Sequence, residues 1–232
     1  GIPFSERVLN NIKDPKENIL YLLEISSFQL EFIQHFSPDI LVYTNISPDH
    51  LDRHGSMEEY VKMKLNALMN MKHKGQIVYN KDDAILEKVL SPFPHKKQPF
   101  STKSKDVLYK IDNKNIIGPS DDKLLNIDEL SIPGEHNLQN FLAASTCSHL
   151  MGISQNQIVK SMKEFKGVEH RLEYVRTINE TDYINDSKAT NIDSVIVAIN
   201  TYKQPIVLIL GGFNKGANFR LLLPHIKSSH VR

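Results

Sequence analysis

DILVYTNISPDHLDRHGSMEEYVKMKLNALMNMKHKGQIVYN, residues 39–80, holds in one run the two periodicities that decide the fold. DILVYTNIS (39–47) is a continuous apolar run rich in β-branched and aromatic residues, the signature of a buried strand. Pro48 and the polar loop PDHLDRHGS break it. Ser56 then opens SMEEYVKMKLNALMNM, a helical pattern with a Ser-x-x-Glu capping box formed by Ser56 and Glu59. GQIVYN (75–80) is a second strand, and DDAILEKVL (82–90) a second helix. Strands alternating with helices predict an α/β fold with a doubly wound, mainly parallel sheet.

Upstream, ILYLLEISS (19–27) reads as another buried strand, interrupted only by Glu24, and FQLEFIQHF (28–36) continues with helical spacing until Pro38 closes it. Downstream, residues 91–130 are rich in Pro, Lys, Ser, Asn and Asp and predict edge strands and loops. IPGEHNLQNFLAASTCSHLMG (132–152) gives a loop and a long helix ending at Gly152, and ISQNQIVKSMKEFKG a shorter one. EYVRTI and TDYIND then pair as strands, a helix follows over 189–201, and IVLILGG is a last strand. A boundary near 167 divides the chain into an α/β domain, 1–167, and the start of a Rossmann-like domain, 168–232. The first residue, Gly1, and the break soon after LLLPHIK read as a fragment of something longer.

Composition narrows the class. With 40% hydrophobic and 24% charged residues the chain is an ordinary globular sequence, and a net charge of +1 offers no field for nucleic acid or an anionic membrane. Apolar runs such as Ile206–Leu210 are far below the roughly 20 residues of a membrane span. The lone Cys147 cannot form an internal disulfide and excludes a multi-cysteine zinc cluster. A cytoplasmic location is expected.

Several constellations could carry chemistry. Glu24, a carboxylate inside an apolar strand, must be paired, protonated or bound to a cation, or else lie at the sheet's edge. His50 and His54 are spaced for one helix face, yet Leu51 stands where a metalloprotease has Glu, so a hard cation such as Mg²⁺ held by Glu24 and Asp49 fits better than zinc. Lys64 is either a snorkelling surface lysine or a buried amine that acts as nucleophile or accepts CO₂. YINDSKATN (183–191) drops from a strand into five polar side chains, which either cap the next helix or face an anion with Lys188. GEHN (134–137) and GVEHR (167–171) are Gly-plus-His turns. GGFNKG (211–216) is Gly-rich, but no GxxxxGK[ST] phosphate loop occurs in the sequence.

Together, LEISSFQLE, TNISPDHLDRHGSMEEYVKMK, GEHNLQNFLAA, GVEHRLEYV, INDSKATN and LGGFNKGANF resemble the Mur ligase family, in the family's order and over nearly the whole chain. INDSKATN points to the branch that adds D-glutamate to UDP-N-acetylmuramoyl-L-alanine. The resemblance implies a truncated central ATPase domain and a truncated C-terminal domain, without the UDP-binding domain and phosphate loop that precede this point in family members. It also implies that the isolated piece is inactive. It implies ATP and two Mg²⁺ ions, with Glu24 and His50 as metal ligands and Lys64 as a carbamate beside the second ion. Lys64, Lys188 and His50 would be catalytic. Asn137 would contact the base, Arg171 and Asp186 the ATP phosphates and ribose, and Ser187, Lys188, Thr190 and Lys215 the D-glutamate or the reacting phosphate. The full-length protein would act as a monomer on small molecules. A sister ligase with another amino acid, and a non-catalytic remnant that binds nucleotide, remain as alternatives.

Overall fold

In the computed structural model, residues 2–17, 19–212 and 218–232 are described, and they divide into two compact units, residues 1–39 with 47–73 and residues 40–46 with 74–232.

The second unit carries the sheet. Strands β1 (Ile40–Tyr43), β2 (Gln76–Asn80) and β3 (Lys96–Phe100) run parallel in the order β1-β2-β3, with Ile40 opposite Gln76 and Gln76 opposite Lys96. The parallel sheet is the one the apolar runs predict, and β3, like β1, is an edge strand. Helix α1 (Ala84–Leu90) follows β2, capped by Asp83. An antiparallel meander, β4 (Lys110–Asp112), β5 (Asn115–Ile117) and β6 (Lys123–Asn126), precedes α2 (Glu135–Leu150) and α3 (Gln155–Glu164). Central strand β2 is buried on both faces: Val78 enters the core with Phe100, Phe141 and Leu142, while Ile77 is fully buried on the other side. Helix α2 packs across all three parallel strands. Next, β7 (Glu173–Ile178) and β8 (Thr181–Asn185) pair antiparallel with each other, and α4 (Ile192–Thr201) follows.

The first unit is helical. It holds α5 (Phe4–Lys13), α6 (Ser27–Leu30), α7 (Leu51–His54) and α8 (Met57–Leu65). The sequence reading missed α5, whose Phe4 meets Tyr21 edge-on at 5.3 Å.

Two expected strands do not form. Residues 19–26 are irregular, with Leu20 62% and Leu22 89% exposed, and 206–210 make only one bridge, Ile206 to Val231, with Ile209 91% exposed. A strand is stabilised by its neighbours, and among the described residues neither run has a ladder beside it. The helix expected over 28–36 shrinks to α6: Asn66 Nδ2 donates to Leu30 O (3.4 Å), and Gln34 O, whose helical donor would be the N–H that Pro38 lacks, accepts from Asn70 Nδ2 (2.7 Å). The helix expected over 56–71 is α-helical only to Leu65 and finishes as a 3₁₀ turn, Asn66–Leu68. At its start, Ser56 Oγ accepts the Glu59 amide at 3.2 Å, half of the capping box.

Candidate functional site

The sequence-predicted residues fall into two groups, one in each unit. In the first unit, Glu24, Asp49, His50, Tyr60 and Lys64 line one groove. His50 starts α7 in the left-handed region (φ 53°), a conformation that His tolerates better than most residues. Asp49 Oδ1 accepts the His50 backbone N–H at 2.9 Å, and His50 Nε2 lies 3.6 Å from Asp49 Oδ2. The Phe28 ring stands edge-on to His50 (4.8 Å) and stacks on His54 (5.3 Å), whose Nε2 is 3.0 Å from Ser27 Oγ. His54 is thus engaged away from His50, and the two form no zinc pair.

Glu24 lies in this groove for a different reason from the one its sequence gives. It is exposed on irregular backbone, so neither burial nor a surrounding strand forces it to bind a cation. Among the described residues no three His, Cys, Asp or Glu side chains gather closely enough to hold a metal by themselves. The donors that share the groove, two carboxylates and an imidazole, still suit Mg²⁺, which keeps several waters and takes few protein ligands.

Lys64 lies in the same groove. It is half-buried with its ammonium over the Tyr60 ring, 5.1 Å from the centroid. Burial pushes its pKa down while the Asp49 charge pushes it up, and burial dominates. A larger neutral fraction is what reaction with CO₂ or an acyl group requires. Tyr60 was not singled out from sequence, although its place four residues before Lys64 puts both on one face of α8.

In the second unit, GEHN, GVEHR and INDSKATN converge. Leu172 N–H donates to Asp186 Oδ1 (3.1 Å) and Lys188 N–H to His170 O (3.0 Å). His136 lies where both Asp186 and Arg171 act on it, and burial drives its pKa down, with the Arg171 charge adding to the fall and Asp186 opposing. Of the polar side chains at the DSKATN corner, Asn191 alone caps α4, accepting the Ser194 amide at 2.8 Å. Ser187, Lys188 and Thr190 are exposed, and the side chains of Lys188, Thr190 and Arg171 make no hydrogen bond among the described residues. Capping therefore accounts for one residue of the corner and does not occupy its one cation, Lys188. Asn137 is buried, and its Nδ2 donates to Pro133 O at 2.7 Å, holding the turn before α2. A cavity of about 340 Å³ opens beside Asn137 and Arg171, walled by Phe141, Ile158, Met162 and Phe165. Lys215 lies outside the described residues. His136, Glu173 and Asn185 were missed as site residues; the signal for His136 and Asn185 was their place inside the quoted polar motifs.

Residues 7–148 match the Mur ligase middle domain. Over 224 residues the chain is 42% identical to the UDP-N-acetylmuramoylalanine–D-glutamate ligase of Clostridioides difficile, covering 95% of this chain and 50% of that protein. It is 38% identical over 216 residues to the ligase of the same name from Bacillus cereus, covering 93% and 48%. The chain spans about half the length of the curated relatives it matches. In shape it is similar to the MurF ligase of Thermotoga maritima, solved in complex with ADP (TM-score 0.62, 17% identity, 83% of this chain and 47% of that one). It is also similar to MurF of Acinetobacter baumannii (TM-score 0.60, 18% identity, 75% and 39%). With a matched domain spanning 7–148, relatives of one name across nearly the whole chain, and the α/β architecture of solved Mur ligases, the chain belongs to the Mur ligase family.

Proposed function

We propose that the protein joins D-glutamate to UDP-N-acetylmuramoyl-L-alanine in peptidoglycan synthesis, an ATP-dependent amide-bond formation that proceeds through an acyl phosphate. The observation that carries this reading is the 42% identity to a relative bearing that name. In this reading ATP supplies the phosphoryl group and Mg²⁺ neutralises charge where phosphate and carboxylate meet.

The chain's own residues serve that chemistry as follows. Glu24 and His50, with Asp49 alongside, hold the cation, and Lys64, carbamylated, supplies a further anionic ligand for a second one. Arg171 and Asp186 position phosphates and ribose, and Asn137 shapes the wall against which the base rests. Lys188, Ser187 and Thr190, with Lys215, receive D-glutamate and the reacting phosphate. Residues 1–167 belong to the ATP-binding central domain and 168–232 begin the C-terminal domain. The protein acts in the cytoplasm as a monomer. Among the described residues no helix is long and apolar enough to cross a membrane.

The test uses the natural full-length gene product, ATP, Mg²⁺ and UDP-N-acetylmuramoyl-L-alanine, with ADP release followed for each of a panel of amino acids. Release that depends on D-glutamate supports the proposal. Release that depends on another amino acid makes the protein a sister ligase, and none at all makes it a nucleotide-binding remnant.

A further inference from the structure

At the corner where Arg171 and Lys188 stand, His170 enters a closed set of hydrogen bonds that fixes which of its ring nitrogens carries the proton. The reasoning begins at Asn185, whose amide orientation three contacts determine. Ser187 N–H donates to Asn185 Oδ1 at 3.1 Å, so that atom must be the oxygen. Asn185 Nδ2 then lies 2.9 Å from His170 Nδ1 and 3.3 Å from Glu173 Oε2. An amide NH₂ has two hydrogens and no lone pair to offer, and here it meets two partners, so both must accept. Turning the amide over would set its NH₂ against the Ser187 N–H and its oxygen against the Glu173 carboxylate, losing two of the three bonds and placing two oxygens face to face.

His170 Nδ1 therefore accepts, and the proton sits on Nε2. One competing contact exists, because Nδ1 is also 3.2 Å from Glu173 Oε2, a distance that would suit donation to the carboxylate. Donation there would bring Nδ1–H face to face with the Asn185 NH₂ at the shorter 2.9 Å, so the accepting form prevails. Glu173 is occupied in another way: its Oε2 takes the His170 backbone N–H at 2.7 Å. That bond holds His170 at φ +67°, ahead of Leu172 at φ +46°, conformations that non-glycine residues seldom adopt without such support. The same turn offers His170 O to the Lys188 amide at 3.0 Å.

We infer that Asn185 and Glu173 are positioning residues that hold His170 as the neutral Nε2–H tautomer, a fixed hydrogen-bond donor for an anionic group bound beside Arg171 and Lys188. The tautomer stands on the geometry alone, whereas its use in catalysis rests on the ligase reading above.

Two measurements on the natural full-length protein, with an Asn185→Asp variant, test this. The first is ¹⁵N–¹H correlation of the His170 ring at a pH where it is neutral. Wild type is expected to show an unprotonated Nδ1 and a protonated Nε2. In Asn185→Asp a carboxylate faces Nδ1 and should draw the proton there, reversing the pattern. A protonated Nδ1 in wild type overturns the inference, as does an unchanged pattern in the variant. The second is ligase kinetics: Asn185→Asp should lower kcat at least 10-fold with KM for ATP changed less than 3-fold, and Asn185→Ser, which keeps a donor towards Nδ1, should recover part of the loss. Equal kcat in wild type and Asn185→Asp overturns the catalytic use. Should the wild type show the expected tautomer but no ligase activity, the function proposed above fails while the positioning holds. If Asn185→Asp does not fold, Glu173→Gln serves in its place: its amide oxygen keeps the His170 N–H, and the Nε2–H tautomer is expected to persist, a reversal again overturning the inference.

Discussion

Asp83 offers the sharpest test of how the parallel sheet is held together. Its Oδ1 accepts the amides of Ile85 (2.9 Å) and Leu86 (3.0 Å), capping α1, and its Oδ2 accepts the amide of Ile46 at 2.8 Å, just beyond β1. Ile46 is 4% exposed, so its N–H has little water to turn to when the carboxylate is removed. Asp83→Ala should lose the cap, about 1 kcal/mol, and leave a buried donor unpaired, about 1–3 kcal/mol, for a total of about 2–4 kcal/mol. Asp83→Asn keeps one oxygen and places an NH₂ where the other was. It can cap α1 or receive Ile46 but not both, and should cost about 1–2 kcal/mol. The assay is urea unfolding followed by circular dichroism, with amide exchange at Ile46 and Leu86 read separately. At a slope of about 3 kcal/mol per M, the alanine variant should unfold about 1 M earlier. A midpoint within 0.2 M of wild type, about 0.6 kcal/mol at that slope, would refute the reasoning, and so would an asparagine variant as unstable as alanine.

Other expectations follow from the site. The pKa of His136 is depressed in the folded protein, so the folded state binds fewer protons than the unfolded one as pH falls through the ordinary His range near 6.5. Stability should be full above that value and decline below it, by at most about 1.4 kcal/mol per pH unit for one proton; urea titrations at pH 7.5, 6 and 5 should show a flatter decline in His136→Gln. Gly134 has φ +103° and a Cβ there would meet His136 Cε1 at 2.7 Å and Thr201 Oγ1 at 3.2 Å. Gly134→Ala should therefore cost about 1–3 kcal/mol, read as a lower melting temperature, with the His136 ring resonances displaced. Lys64, its pKa lowered by burial, should take up ¹³C-bicarbonate as a carbamate seen by ¹³C NMR. The signal should vanish in Lys64→Arg, and its absence from wild type at pH 8 would return Lys64 to an ordinary cation.

How much of this was legible in the sequence differs by element. The strands β1 and β2 were, because ILVY and the IVY of QIVYN are unbroken apolar runs, although only β2 is buried on both faces and Val42 of β1 is 40% exposed. The run 19–23 is just as apolar and forms no strand, since composition specifies that a segment wants a sheet but not which ladder will accept it. At the site, Asp186 and Lys188 were legible as polar residues at a strand-to-helix corner. Of the two grounds for Glu24, the structure removes the buried strand and leaves the resemblance, and Glu24 does line the groove with Asp49 and Lys64. Glu173 was not legible at all, because its partner His170 lies across a left-handed turn that no periodicity announces.

The same limit explains why the helices after Ser26 and Ser56 end early. Both have sound N-terminal signals: Ser26 forms a full capping box with Gln29, and Ser56 accepts the Glu59 amide. Caps decide where a helix begins, because they satisfy donors that every helix start leaves free. Where it ends depends on competition for its carbonyls, and that competition is not local. Asn66 and Asn70, 36 residues from the carbonyls they reach, take Leu30 O and Gln34 O. Asn70 in turn gives its own carbonyl to Ser37 Oγ at 2.8 Å. Asn66 thus competes for a carbonyl at the end of the first helix, while Asn70 binds a carbonyl that Pro38 leaves without a helical donor and occupies the residues just past the second helix. Replacing Asn70 with Ala should release Gln34 O without supplying the amide that an extended α6 would need, since Pro38 has no N–H to donate. The variant should lose stability by about 1 kcal/mol and gain no helix. An increase in helical circular dichroism at 222 nm would show instead that Asn70 had been holding a longer helix back.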